Sequence, residues 1–204
     1  MTLKNTYQSK SPRPCVFLDR DGTISKEAGY INHPLRLELL PGVGAAIRKL
    51  NDAGVLVIVV TNQAGIARGY FTEAVLDATH KRMRDLLKQK AAHIDALYYA
   101  PCHASAKDPR WRDDPFEMRK PGLGMIRQAQ QEHAIDMARS VMIGDRMNDV
   151  AFGHKAGLPS VFVKTGYGLG EWTYERATWT EQPDYICDTL GQAVAWYLKR
   201  LRQA

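Results

Sequence analysis

The chain alternates between short runs of uninterrupted apolar residues and longer segments whose apolar positions recur every three or four residues. Runs of the first kind read as strands buried on both faces, and segments of the second kind as amphipathic helices. The runs are Cys15–Leu18, Val55–Val60, Ala96–Ala100, Val141–Gly144 and Ser160–Val163, with Tyr185–Cys187 as a last short strand. Between them the spacing predicts helices from Val43 to about Ala53, Thr72 to about Ala92, Gly124 to Glu132, Val150 to Ala156 and Leu190 to Leu201. Gly54 is placed to end the first helix and Thr72 to cap the second, whose expected inner face is Val75, Thr79, Met83, Leu86 and Leu87. Such alternation predicts right-handed crossovers and an α/β fold, a doubly wound, Rossmann-like parallel sheet with flanking helices.

In that fold ligands bind beyond the carboxyl ends of the strands, so the residues at which each run stops matter most. The first run stops at Asp19-Arg20-Asp21-Gly22-Thr23. In an extended exit Asp19 and Asp21 point the same way and Arg20 the opposite way. Two carboxylates this close call for a counter-charge, a divalent metal or a shared proton. One of them can attack phosphorus while the other donates and recovers a proton. Alone, so short a pattern is more often a simple turn.

The second run stops at Thr61-Asn62, which offer neutral donors, and Arg68 follows as a cation able to grip phosphate in bidentate fashion. The fourth stops at Asp145-Arg146-Met147-Asn148-Asp149. Arg119 and Lys120 precede the third predicted helix and, taken by themselves, read as surface charge. The fold, however, would carry Asp19, Asp21, Thr61, Lys120 and Asp145 to one edge of the sheet. A divalent-metal site facing a phosphate site is the chemistry of that set.

Composition narrows the picture. The length of 204 residues suits one domain, read as residues 15–204 behind an N-terminal extension of residues 1–14. The net charge of +6 is spread without basic runs, and no aromatic-basic alternation suits a nucleic-acid strand. A small phosphorylated anion explains the charge equally well. The three cysteines, Cys15, Cys102 and Cys187, form no disulfide framework, which implies a reducing, cytoplasmic setting. The first fourteen residues lack the apolar core of a signal peptide, and no run could span a bilayer, so no membrane partner is expected. A monomer is expected, because no long exposed apolar patch is visible. Two irregular stretches, 24–40 and 101–117, follow strand ends directly, where loops of that length tend to be functional. The glycine-rich Thr165–Gly170 lacks the dinucleotide-binding spacing and reads as a loop. His33, His80, His93, His133 and His154 show no ligand pairing and read as structural or surface residues.

Taken together, Asp19-x-Asp21-Gly22-Thr23, Thr61, Lys120 and Gly144-Asp145-x-x-x-Asp149 resemble, in order, the four motifs of the haloacid dehalogenase (HAD) superfamily of phosphatases. The stretches Leu18–Ile24, Gly29-Tyr30, Leu40–Gly42, Thr61–Gly69 and Arg119–Gly122 are similar to its heptose-bisphosphate subgroup, to which histidinol-phosphate phosphatases are near relatives. The resemblance implies a minimal cap or none, and hydrolysis of a small phosphorylated sugar of lipopolysaccharide synthesis. It implies Asp19 as nucleophile, Asp21 as acid and base, and Mg²⁺ on Asp19, Asp145 and the backbone carbonyl of Asp21. Thr61, Asn62 and Lys120 would hold the transferred phosphoryl group, and Arg119 would touch the substrate's other groups. Asp149 would support the metal's surroundings or the loop. The subgroup's structural zinc is expected to be absent. Its ligand positions read Ala100, Cys102, Phe116 and Met118 here, and His103 does not rebuild a four-ligand site. Apolar packing of Phe116 and Met118 is expected in its place. A catalytically silent binding protein on the same fold is the rival reading; against it, every position the chemistry needs is filled.

Overall fold

The structure, a computed structural model, describes residues 11–115 and 117–203. Six strands, β1 (Arg13–Leu18), β2 (Leu56–Asn62), β3 (Ala96–Ala100), β4 (Ile135–Gly144), β5 (Ser160–Val163) and β6 (Tyr185–Cys187), form one sheet in the order β3-β2-β1-β4-β5-β6. Every pairing is parallel. The chain builds outward from β1 to β3, then returns to β4 and builds outward on the other side. The order therefore reverses between β1 and β4, where a doubly wound sheet opens its ligand crevice.

Because side chains alternate along a strand, each central strand feeds two cores. Val16 and Leu18 of β1 join Val57, Val59, Val141 and Ile143 on one face. That face is covered by α1 (Val43–Asp52), α2 (Glu73–Lys88) and α6 (Leu190–Leu201). Cys15 and Phe17 point the other way, with Ile58, Val60 and Met142, beneath α3 (Gly124–Glu132) and α4 (Met147–Lys155). Met118 packs against this second core, whereas Phe116 lies outside the described residues.

Several boundaries move from those the sequence predicts, each for a visible reason. β1 begins at Arg13 and β4 at Ile135, because Arg13 and Pro14 pair with Ile135 and Asp136 before the register shifts and β4 bulges over residues 137–140. Ser140 patches that bulge, accepting from the Cys15 amide at 2.9 Å and donating to the Asp136 carbonyl at 2.6 Å. Residues 1–10 of the expected extension lie outside the described residues. Thr61 and Asn62 are the last residues of β2, paired with Tyr99 and Ala100. α4 starts three residues earlier than predicted: Asp149 accepts from the Arg146 amide at 3.1 Å, and Glu171 from the Met147 amide at 2.8 Å. On α2 the buried face is Leu76, Thr79, His80, Met83 and Leu87, with Val75 and Leu86 only half-buried. The stretch read as a glycine-rich loop continues into helical turns, α5 (Gly168–Gly170) and then Glu171–Thr178, held by Glu171 against the start of α4.

Candidate active site

β1 and β4 end side by side, and the Asp19 amide donates to the Ile143 carbonyl at 3.0 Å. This places Asp19 and Asp145 at the reversal point of the sheet. Asp19, Asp145 and Asp149, all buried, have carboxylate oxygens within 4.8 Å of one another. Lys120, 4% exposed, reaches in from the turn before α3, 2.9 Å from Asp19 Oδ1 and 2.5 Å from Asp149 Oδ1. Burial lowers the ammonium's proton affinity, but the two carboxylates outweigh it and hold Lys120 well above its ordinary range.

The aspartates remain under strain of like charge. Burial pushes Asp19 up to about 7, with Lys120 opposing and Asp149 adding to the rise. Asp145 is pushed up to about 9 by burial and by the charges of Asp19 and Asp149. Its Oδ2 accepts from the Tyr167 amide at 2.8 Å, while Oδ1 is buried with no hydrogen-bond partner. A buried carboxylate oxygen without a donor is costly. Beside a second acid, it suits a hard divalent cation with oxygen ligands. The residues present therefore fit such an ion.

The carboxylate of Asp145 is enclosed by backbone. Gly22 (φ +77°) and Gly166 (φ +53°) press on it from the exits of β1 and β5, and a Cβ on either would overlap its oxygens. Both conformations also favour glycine.

Asp21 does not share the metal cluster through its side chain. Arg20, expected to point away, instead turns inward with 1% exposure and binds Asp21 through Nε at 3.0 Å and Nη2 at 2.6 Å. Ser25 Oγ donates to Asp21 Oδ1 at 3.2 Å, and Gln63 Nε2 donates to Oδ2 at 2.9 Å and to Thr61 Oγ1 at 2.9 Å. Arg20 is backed by His80 of α2 at 3.1 Å, and burial together with the Arg20 charge drives the His80 pKa down to about 3. His80 is thus a neutral acceptor that fixes Arg20. Asn62 lines the cavity, and both ends of its amide are engaged by the Lys120 backbone. Its Oδ1 accepts from the Lys120 amide at 2.9 Å and its Nδ2 donates to the Lys120 carbonyl at 3.3 Å, and Asn148 donates to that carbonyl at 2.9 Å. These two amides hold Lys120 in place.

Above the cluster opens a cavity of about 610 Å³ whose rim carries Arg68, Arg119, Arg146, Tyr30 and Tyr167. Burial and the neighbouring charge of Arg68 lower the Arg119 pKa, and Arg119 Nη1 and Arg68 Nε are buried without partners. Cations crowded in this way favour an anion between them. Arg146 is tied to Glu171 at 2.8 Å and lies over the Tyr167 ring. Cys102 is a free, half-buried thiol, and His103 beside it bonds Arg68 and Ser105. Gln63, His80, Asn148 and Glu171 were not singled out from the sequence; Gln63, one position past β2, and Asn148, four past β4, lie close to strand exits, whereas Glu171, eight positions past β5, and His80, on α2, carry no such signal.

A parallel sheet reversing at two acid-bearing strand ends, with a lysine between them, defines a class. Residues 117–193 match the HAD-hydrolase-like family. Over 195 residues the chain is 40% identical to the D-glycero-D-manno-heptose-1,7-bisphosphate 7-phosphatase of Thermosynechococcus vestitus, spanning 93% of this chain and 98% of that relative. The D-glycero-beta-D-manno-heptose-1,7-bisphosphate 7-phosphatase of Escherichia coli K12 is 37% identical over 167 residues, covering 81% of this chain and 87% of its own. The crystal structure of D,D-heptose 1,7-bisphosphate phosphatase from B. bronchiseptica, complexed with magnesium and phosphate, superposes with a TM-score of 0.78 at 30% identity, covering 92% and 99% of the two chains. The chain belongs to this family of HAD-like phosphatases.

Proposed function

We propose that the protein is a Mg²⁺-dependent phosphomonoesterase that removes the 7-phosphate of D-glycero-D-manno-heptose 1,7-bisphosphate. The observation that carries the reading is the buried, unpartnered Oδ1 of Asp145 beside Asp19 and Lys120. Asp19, Asp145 and the backbone carbonyl of Asp21 would hold the ion, which when bound supplies charge that lets a carboxylate approach a phosphate dianion.

Asp19 attacks phosphorus with the oxygen that Lys120 does not hold, and the bond from phosphorus to the sugar oxygen breaks. Asp21, oriented by Arg20, Ser25 and Gln63, gives the departing oxygen its proton. It then takes a proton from the water that attacks the aspartyl-phosphate, and Asp19 is released. Lys120 and the Thr61 hydroxyl face the charge that builds on the phosphoryl oxygens, with Asn62 fixing Lys120. The remote phosphate meets Arg68 and Arg119 on the rim.

The reading extends to a cytoplasmic monomer without structural zinc. The three free cysteines support the reducing compartment. Phosphate release with Mg²⁺ from both heptose bisphosphate anomers, histidinol phosphate, fructose bisphosphate and a 3′-phosphorylated oligonucleotide tests the substrate. Preference for one heptose anomer is expected; a better rate on another compound would remove the heptose assignment and leave the chemistry. Light scattering tests the monomer, and metal analysis of the purified protein tests the absence of zinc.

A further inference from the structure

The rim arginines differ in how their charge is answered. Among the described residues, Arg146 alone of the three is paired with a carboxylate: its Nε donates to Glu171 Oε1 at 2.8 Å. Glu171 Oε2 accepts from the Met147 amide at 2.8 Å, so a side chain only 8% exposed uses both its oxygens. The Arg146 guanidinium also lies 4.8 Å from the centre of the Tyr167 ring, a cation over an aromatic face. The turn that presents these two partners is anchored independently of Arg146. The Tyr167 amide donates to Asp145 Oδ2 at 2.8 Å, the Gly168 amide to the Thr165 carbonyl at 2.8 Å, and the Glu171 amide to the Tyr167 carbonyl at 3.0 Å. With Nε taken, Arg146 keeps its two terminal nitrogens as donors. Among the described residues neither has a hydrogen-bond acceptor, and Arg146 lines the cavity.

We propose that Glu171 is a positioning residue for substrate binding: its carboxylate holds Arg146 at the cavity with both terminal nitrogens presented to the substrate, and itself touches neither the substrate nor the metal cluster. This rests on the reading of the cavity as the site of a phosphorylated sugar. The pair with Glu171 carries no net charge, so Arg146 suits directional hydrogen bonds to sugar oxygens better than attraction at long range. A guanidinium on a flexible stem loses less freedom on binding when a neighbour already holds it. Removing Glu171 should therefore weaken binding and spare turnover.

The test compares Glu171→Leu, Arg146→Ala, their double variant and Met147→Pro, each assayed with heptose bisphosphate and with p-nitrophenyl phosphate, which has no sugar. If the wild type prefers another sugar phosphate of the panel above, that compound replaces heptose bisphosphate, so the substrate assignment and the role of Glu171 can fail separately. Arg146→Ala should raise KM for the sugar phosphate about tenfold, and Glu171→Leu about three- to tenfold, with kcat nearly unchanged in both. The double variant should be no worse than Arg146→Ala alone, because the two residues act as one unit. For Glu171→Leu, KM and kcat for p-nitrophenyl phosphate should stay within about twofold of the wild type, since the loss lies outside the reacting site. Met147→Pro removes only the amide that Glu171 caps. Proline is tolerated at the first position of a helix, and Arg146 before it is already extended (φ −129°, ψ 150°). Its KM should stay within about twofold of the wild type if Glu171 acts through Arg146. Should Glu171→Leu not fold, Glu171→Gln, of the same size but with one acceptor for two donors, carries the same comparison with a smaller rise. If Arg146→Ala leaves KM unchanged, Arg146 does not touch the substrate and the role of Glu171 falls with it. If the Glu171 variant leaves KM unchanged, if the two effects simply add, or if Met147→Pro raises KM as much, the positioning role is overturned.

Discussion

The floor of the cavity and its rim are built on opposite principles. On the floor, Asp19, Asp145 and Lys120 are fixed by strand ends and by amide clamps from Asn62 and Asn148, with almost no exposure. On the rim, Arg68 touches His103 of the long loop, Arg119 is held through its backbone amide by Asp114, and Arg146 is tied to Glu171 of the helical turns after β5. Chemistry common to many substrates needs the first kind of support, because charge must already be oriented when the transition state forms. Discrimination among substrates needs the second, because a loop can be rewritten without disturbing the sheet.

Substitutions of the floor should therefore act on turnover and those of the rim on binding. The largest effect is expected from Asp19→Asn. Phosphate release should fall by about 10⁴-fold or more while circular dichroism stays unchanged. Activity surviving in that variant would refute the nucleophile assignment. Lys120→Met comes next. It should lower kcat by about 10²–10³-fold and cost about 3 kcal/mol of stability by leaving buried carboxylates without their cation. Urea unfolding with and without Mg²⁺ reads the second part, and the ion should restore some of the loss. Arg119→Ala should raise KM for the bisphosphate about tenfold and change kcat much less. A kcat defect as large as that of Lys120→Met would erase the division between floor and rim.

The smallest effect concerns neither region but the far end of α4, and serves as a control. There His154 is bracketed by Glu181 at 2.9 Å and Asp184 at 3.0 Å. Burial opposes its charge, but the hydrogen bonds to Asp184 and Glu181 win and raise its pKa above 6.5. Because the folded value is the higher one, the stabilisation is fully present below pH ~6.5 and is lost as pH rises through the raised value. His154→Gln should cost about 0.5 kcal/mol at pH 5.5 and less at pH 8, given that the pair is partly solvated. Thermal melts at the two pH values measure this, and activity per folded molecule should not change.

The same division decides what could be read from the chain before its structure. Continuous apolar runs marked the strands, and the acids ending them marked the floor, because burial on both faces forbids any other pattern there. The first half of β4 escaped notice, since Ile135-Asp136-Met137-Ala138-Arg139 is half-exposed and becomes a strand only by pairing with Arg13 and Pro14. Helical turns after Gly168 were hidden by three glycines, and what holds them is a distant contact from Glu171 to the start of α4. His80 carried no local sign of its role: sixty positions separate it from Arg20, and only the packing of α2 over β1 joins them. Arg20 was given the wrong direction because alternation along a strand stops applying where the strand does. Once past Leu18, a buried guanidinium follows the available acceptors.

The sharing of Lys120 between two carboxylates has an electrostatic corollary. Counted as formal charges, Asp19, Asp145 and Asp149 against one ammonium leave a deficit of two. A divalent cation brings the floor to electroneutrality, so an incoming phosphate dianion is neither drawn nor repelled by it at long range. Attraction at a distance is left to the arginines of the rim, which stand nearer the solvent and its counter-ions. Added salt should thus raise KM and leave kcat nearly constant.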